Sequence, residues 1–245
     1  MPYQAKGPMT DLPVGHPCED CPVRPITICR RLDAEMLASL RALGTPQKLV
    51  PDQPIFHEGD PVRRVFMLTL GALKIYTLLA DGRRQITGFM FPGDFLGVSI
   101  DDEYAFTAEA LVKSELYWFT RDAFDRFVEA NPRVERELYR LAAHELAAAQ
   151  SQMVLLGRKT AAERLASFFL SLAERQELVV GEPQHAFDLP MSRLDIADYL
   201  GLTKETVSRM LAQLRDRKLI RLASQDRVEI LDRQGLKDMA EGFGD

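Results

Sequence analysis

The 245-residue chain has no apolar run approaching the roughly 20 residues that span a bilayer, which excludes a membrane-crossing helix. Its opening residues, Met1-Pro2-Tyr3-Gln4-Ala5-Lys6-Gly7-Pro8, carry one positive charge and no apolar core, so they do not read as a secretory signal. These two absences leave a cytoplasmic protein as the expectation. Catalytic patterns are missing too: there is no Gly-rich phosphate loop, no Ser/His/Asp set and no His-Glu-x-x-His, and His16, His57, His144 and His185 are scattered. The acidic residues read as solvated surface, and an enzyme is not expected. Positive charge is in short supply, with 31 Lys and Arg against 36 Asp and Glu and a net charge of −5. Taken alone, that total argues against a nucleic-acid partner.

The distribution argues the other way. Residues 190–221 hold seven bases (Arg193, Lys204, Arg209, Arg215, Arg217, Lys218, Arg221) against four acids (Asp195, Asp198, Glu205, Asp216). A basic patch on an acidic body neutralises phosphates while the rest of the surface limits non-specific sticking.

The pattern along the chain predicts an α+β protein in four parts. Residues 1–31 have prolines at Pro2, Pro8, Pro13, Pro17, Pro22 and Pro25 and no periodicity, and read as an extended arm without a core of its own. Residues 32–130 open with a short helix over 33–43, Asp33 as its N-cap, and continue as β-type runs divided by turns. The runs are Lys48–Val50, Val65–Leu68, Leu73–Thr77, Gln85–Phe89, Phe106–Ala110 and Ser114–Phe119. Glycines at the strand ends fit an antiparallel β-roll or jelly-roll, and Asp81-Gly82 marks a tight hairpin.

In residues 131–158, Tyr139, Ala142, Leu146, Ala149, Met153 and Leu156 recur at spacings of three and four, which suits a monomeric core helix as well as a dimer seam. The small alanines on the seam favour the reading as a dimerisation helix. Leu138, Leu141, Ala148 and Leu155, one residue earlier, widen the apolar surface, so one face can pack on the β domain while the other meets a second copy. Residues 159–245 form the last part. Gly181 and Pro183 place a turn or short strand within 175–189, and 190–245 reads as a helical unit followed by a hairpin.

The densest signal is Ser192-Arg193-Leu194-Asp195-Ile196-Ala197-Asp198-Tyr199-Leu200-Gly201-Leu202-Thr203-Lys204-Glu205-Thr206-Val207-Ser208-Arg209-Met210-Leu211. Ser192 caps a first helix with Ile196, Ala197 and Leu200 inward, and Gly201 reverses the chain. Thr203 caps a second helix with Val207, Met210, Leu211 and Leu214 inward. That is helix-turn-helix geometry, which delivers the second helix to the DNA major groove. Its outer face bears Lys204, Glu205, Ser208 and Arg209. Glu205 and Arg209 suit an ordinary i,i+4 ion pair. In a groove, Arg209 instead donates to guanine O6 and N7 while Glu205 accepts from cytosine N4. Leu219–Leu222 and Arg227–Leu231, flanking Ala223-Ser224-Gln225-Asp226, read as a β-hairpin wing.

With these motifs in place, the chain resembles the Crp/Fnr family of bacterial transcription regulators over nearly its full length, with Asp195 to Arg209 close to the family signature. The resemblance implies a cyclic-nucleotide-binding-like roll, a winged helix-turn-helix, a homodimer, and double-stranded DNA and RNA polymerase as partners. The Glu-x-x-Ser-Arg arrangement resembles the Fnr and FixK branches. That implies inverted repeats of a TTGAT-type half-site read by Glu205, Ser208 and Arg209.

Cyclic nucleotide binding is not expected. The stretch matching the family's phosphate cradle, Gly93 to Thr107, has no arginine and has Asp101, Asp102 and Glu103 in a row. The signal is sought instead in the arm, where all three cysteines fall within 12 residues as Cys18-x2-Cys21-x7-Cys29. Clustered thiols in a cytoplasmic protein suggest metal more than disulfides. The spacing resembles the oxygen-sensing Fnr subgroup, which implies a [4Fe-4S] cluster, but Tyr117 occupies the place of the fourth cysteine. The alternatives are a carboxylate ligand from Asp94, Asp101 or Asp102, an open site, zinc completed by His16, haem-type sensing, or no cofactor, with control by protein amount or thiol oxidation.

Overall fold

A computed structural model of the chain describes residues 9, 11–16, 18–21, 23–98, 101–180, 185–224 and 226–243, which divide into two compact units, Tyr3–Ala143 and His144–Asp245. Pro2, Pro8, Pro17, Pro22, the opening octapeptide, Ser99, Ile100, Gly181, Pro183 and Gln225, each used in the sequence reading, lie outside the described residues.

In the first unit, the expectation of a coreless arm is corrected. Residues Arg24–Ile26 and Ile28–Arg31 form two 3-10 turns. Cys18, Ile28, Cys29 and Leu32 are buried in one cluster with Leu37, Leu40, Val65, Met67, Phe119, Phe124 and Val134. Proline denies the segment an α-helix, but single 3-10 turns tolerate it, and each turn lays its apolar residues onto the core. Helix α1 (Ala34–Leu43) then starts as expected, with Asp33 accepting from the Met36 amide at 3.0 Å.

Strands β1 (Thr45–Leu49), β2 (Pro54–Phe56), β3 (Arg64–Leu70), β4 (Leu73–Leu78), β5 (Arg84–Met90), β6 (Phe95–Leu96), β7 (Thr107–Ala110) and β8 (Ser114–Thr120) follow. They form two four-stranded antiparallel sheets, ordered β1-β8-β3-β6 and β2-β7-β4-β5. Phe56, Phe66, Leu68, Leu73, Leu96, Ala108 and Leu116, drawn from both sheets, share one core. This is the expected β-roll. Gly82, at φ +84°, supplies the left-handed residue that the β4–β5 turn needs. Strands β2 and β6 were not foreseen, because runs of three and two residues are too short to show alternation.

Two helices continue from the roll, α2 (Arg121–Ala130) and the 27-residue α3 (Pro132–Arg158). The division between the two units falls inside α3. On α3, Val134 and Glu137 are buried and Leu138 and Leu141 pack on the cluster that holds the cysteines.

In the second unit, α4 (Ala161–Val180) runs past residue 175 into the 175–189 stretch expected to hold a turn or short strand, and the short strand comes near the end of that stretch, over Ala186–Asp188. Arg175, Gln176 and Glu177 are good helix formers, and the first residue able to stop them is Gly181. The remaining elements are β9 (Ala186–Asp188), α5 (Arg193–Leu200), α6 (Lys204–Asp216), β10 (Ile220–Ser224), β11 (Arg227–Ile230) and α7 (Arg233–Glu241), with the strands ordered β10-β11-β9. Helix α7 was also missed. Asp232 caps it by accepting from the Gly235 amide at 2.9 Å, and Leu236, Met239 and Ala240 bury one face.

Candidate DNA-reading helix and thiol pocket

Local hydrogen bonds set the turn between α5 and α6. Ser192 Oγ accepts from the Asp195 amide at 3.1 Å, and Asp195 Oδ2 accepts from the Ser192 amide at 3.0 Å. This reciprocal capping box fixes where α5 begins. Gly201 ends it at φ +63°, a conformation that costs a residue with a Cβ about 1 kcal/mol or more. Thr203 Oγ1 then accepts from the Thr206 amide at 3.1 Å and starts α6. Ile196, Ala197 and Leu200 on one helix, with Val207, Leu211 and Leu214 on the other, are buried. Met210, expected among them, is only half-buried because it sits at the margin of the stripe.

Packing of that face turns Thr203, Lys204, Glu205 and Arg209 to solvent. Ser208 is half-buried and accepts from Arg193 Nη1 at 3.4 Å. Among the described residues no ion pair joins Glu205 to Arg209, so both side chains keep their hydrogen-bonding groups for another partner. On the wing, the Arg221 Nε donates to Glu229 at 2.8 Å and Arg227 meets Asp188 at 3.4 Å.

One residue holding this unit together has no sequence signature. The Arg164 guanidinium donates to the carbonyls of Leu156, Lys159 and Leu200 at 2.8, 2.9 and 2.8 Å. It satisfies carbonyl groups at the ends of α3 and α5 that no helix supplies with donors. Arg164→Ala is expected to cost about 2 kcal/mol, as a charged donor to several acceptors does. Denaturant titration should show the loss, and Arg164→Lys should recover part of it.

Along α3, Tyr139, Leu146 and Met153 recur every seventh residue and are 76%, 61% and 71% exposed. Ala142 and Ala149 between them are exposed as well, and Leu156 is half-buried. The stripe read as a dimer seam is therefore mostly exposed on a single chain, alongside the inward Leu138 and Leu141.

In the other unit, Cys18, Cys21 and Cys29 line one cavity of about 30 Å³ together with Arg24, Arg41 and Tyr117. That is room for roughly two or three waters. Burial pushes the Cys29 thiol up to about 12. Burial also raises Cys18, followed by the neighbouring Cys21, with the Arg41 and Arg24 guanidiniums pulling the other way. Sequence reasoning did not find either arginine, since one lies in a 3-10 turn and the other on α1. Tyr117 stands on the cavity wall, and the Arg41 guanidinium lies over its ring at 5.4 Å.

The cavity wall does not include Asp94, Asp101 or Asp102. Asp94 Oδ2 accepts from the Phe91 amide at 2.8 Å. His16 is committed elsewhere: Nδ1 accepts from the Cys18 amide at 3.0 Å, and Nε2 donates to the Ala34 carbonyl at 2.9 Å. Both ring nitrogens of His16 are thus engaged by backbone groups. Among the described residues, no three His, Cys, Asp or Glu side chains stand close enough to hold a single metal ion. In the roll, the buried cation Lys74 is paired with Glu109 at 2.8 Å, and the Gly93–Thr107 stretch, which matches the family's phosphate cradle, has no arginine. No helix among the described residues is long and apolar enough to cross a membrane.

Comparison with known proteins accords with this geometry. A cyclic nucleotide-binding domain model matches residues 46–131, and a Crp-like helix-turn-helix domain model matches residues 163–239. The nitrogen fixation regulation protein FixK of Bradyrhizobium diazoefficiens is 42% identical over 202 residues, covering 82% of this chain and 85% of that one. The transcriptional activator protein FnrL of Cereibacter sphaeroides is 34% identical over 89% of each. The solved structure of FixK2 from Bradyrhizobium japonicum matches with a TM-score of 0.74 at 36% identity, covering 80% of this chain and 96% of that one. These relatives are regulators of transcription rather than enzymes. Identity at this level, over so much of each protein, makes the conclusion direct: the chain belongs to the Crp/Fnr family of DNA-binding transcription regulators.

Proposed function

We propose that the protein acts as a homodimer on TTGAT-type inverted repeats, and that its cysteine pocket makes it responsive to oxygen or redox state through a three-cysteine [4Fe-4S] cluster. The observation that carries the DNA reading is the outer face of α6, where exposed Glu205 and Arg209 form no ion pair with each other. A homodimer joined along the bare stripe of α3 presents two α6 helices, and an inverted repeat asks for them about one DNA turn, roughly 34 Å, apart. Lys204, Thr203 and the Ser192 cap lie at helix N-termini, where backbone amides favour phosphate. RNA polymerase is the further partner expected of a DNA-bound activator or repressor.

The donor set supports the cluster. Three sulfurs share one cavity, and Arg24 and Arg41 supply positive charge beside the thiolates that a cluster requires. When bound, the cluster supplies an oxygen-sensitive centre. Cys18, Cys21 and Cys29 hold it, and Tyr117 leaves its fourth corner without a thiolate. A cavity with room for two or three waters admits it only if residues 18–31 repack, and that repacking is the switch.

The second reading, a cofactor-free regulator controlled by its amount or by thiol oxidation, is favoured by the raised thiols of Cys18 and Cys29 and by the absence of a compact ligand group among the described residues. Iron and sulfide analysis after anaerobic purification separates the two. The cluster reading expects four irons per chain, with visible absorption that bleaches in air. Metal-free protein that binds its repeat equally well with and without air leaves the second reading.

A further inference from the structure

The cysteine segment touches the dimerisation helix through a charged group as well as through the core. Arg31 closes the 3-10 turn Ile28–Arg31 that carries Cys29, and its Nη1 donates to Glu137 Oε1 at 2.8 Å. Glu137 lies on α3 with its side chain 4% exposed, and Arg140, one turn on, donates to the same oxygen. The Arg31 Nε is buried and has no hydrogen-bond partner among the described residues, so this one contact holds its guanidinium. A buried donor left unmade is costly, and such arrangements persist where they serve something besides stability.

Two short rigid pieces meet at this pair. On one side, the Thr27 hydroxyl accepts from the Cys29 amide at 3.1 Å and the Cys29 carbonyl accepts from the Leu32 amide at 3.3 Å, so the closed turn that carries Cys29 also carries Arg31. On the other, Glu137 is two residues before Tyr139, the first of the exposed stripe, on the same helix. Any displacement of Cys29 from its cavity therefore pulls Arg31 off Glu137. That removes one of the cations facing a buried carboxylate, a loss that favours a shift of the inner face of α3 or the entry of water.

We infer that the Arg31–Glu137 ion pair is the link through which the state of the thiol pocket sets the position of the dimerisation helix. This rests on the pocket being the sensing site proposed above, but the link itself is tested without any cluster. In metal-free, reduced, full-length protein, amide hydrogen exchange is followed over residues 28–32 and 134–141. Glu137→Gln, a change on α3, is expected to speed exchange across residues 28–32 about tenfold, and Arg31→Gln to do the same across 134–141. The double variant should go no further than either single one. Arg31→Lys keeps a charge at a one-point contact and should stay near wild type, which shows that the loss is not misfolding. Arg133→Gln, an exposed charge on the first turn of α3, is the control and should leave both segments unchanged.

Glu137→Gln with residues 28–32 still exchanging at the wild-type rate overturns the link, and so does an equal effect from Arg133→Gln. In a second arm, anaerobic reconstitution with iron and sulfide should shift the dimer dissociation constant of wild type but not of Arg31→Gln. Wild type that takes up no iron defeats the cluster reading alone, and the exchange result still decides the link.

Discussion

Arg209→Ala is expected to abolish discrimination at the single G·C pair of the TTGAT half-site while leaving the salt dependence of binding nearly untouched. A bidentate arginine–guanine contact contributes roughly 1–3 kcal/mol of base discrimination. A dimer loses it twice, so affinity for the full repeat should fall by about 30-fold to about 25,000-fold. Since the half-site holds one G·C pair, Arg209 donating to the guanine and Glu205 accepting from the cytosine converge on it. Changing that pair in the DNA and removing Arg209 should therefore be non-additive. Lys204→Ala is the contrasting case: an exposed phosphate contact at the start of α6, its loss should weaken binding to all sequences and lower the salt slope by about one unit per half-site. Gel shifts across a salt series, on the repeat and on a scrambled duplex, measure both quantities. Equal loss of affinity on the two DNAs would mean that Arg209 reads no base, and the assignment of α6 as the reading helix would fall with it.

The reading helix was legible because everything that shapes it is local. Ser192 with Asp195, the left-handed Gly201 and Thr203 each act within four residues, so their spacing in the sequence already specifies the turn. The roll was legible for a related reason, since strands of six or seven residues are long enough to be seen, β8 by its near-alternation and β3 by its unbroken apolar run. Features made by distant partners were not legible. Arg164 reaches a carbonyl 36 residues away, and Arg31 a carboxylate 106 residues away, so nothing near either position marks it. The burial of the cysteine segment belongs here too. Proline-rich composition predicts irregular backbone correctly, but whether irregular backbone packs depends on surfaces such as Met67, Phe119 and Phe124, which lie far along the chain. Arg24 and Arg41 join the thiols only in the folded unit, which is why the sequence showed three donors and no compensating charge.

The second large effect is expected on α3, where Leu146→Glu should convert the proposed homodimer to monomers. Leucine and glutamate have similar helix propensities, and Leu146 is 61% exposed on a single chain, so the substitution leaves the monomer's helix and core intact. What it changes is the surface between copies. In a parallel pair of helices with the two-fold axis running between them, each seam residue faces its own equivalent. At position 146 two carboxylates would then face each other between Ala142 and Ala149, small residues that let the helices approach closely and leave little room for water. Dimerisation should weaken by about 1,000-fold or more, in keeping with several kcal/mol for unpaired charge taken from water. Ser151→Glu adds the same charge one turn on, outside the stripe, and should leave the dimer unaffected. Sedimentation equilibrium gives the association constant directly. DNA binding gives an independent reading, because a monomer keeps its intact α6 and so its contacts to one half-site, but loses the joint occupancy that makes an inverted repeat bind tightly. Affinity for the repeat should therefore collapse to that for an isolated half-site, with base preference at the G·C pair retained. If Leu146→Glu remains a dimer, the bare apolar stripe of α3 is not the seam, and the two reading helices are brought together by some other surface.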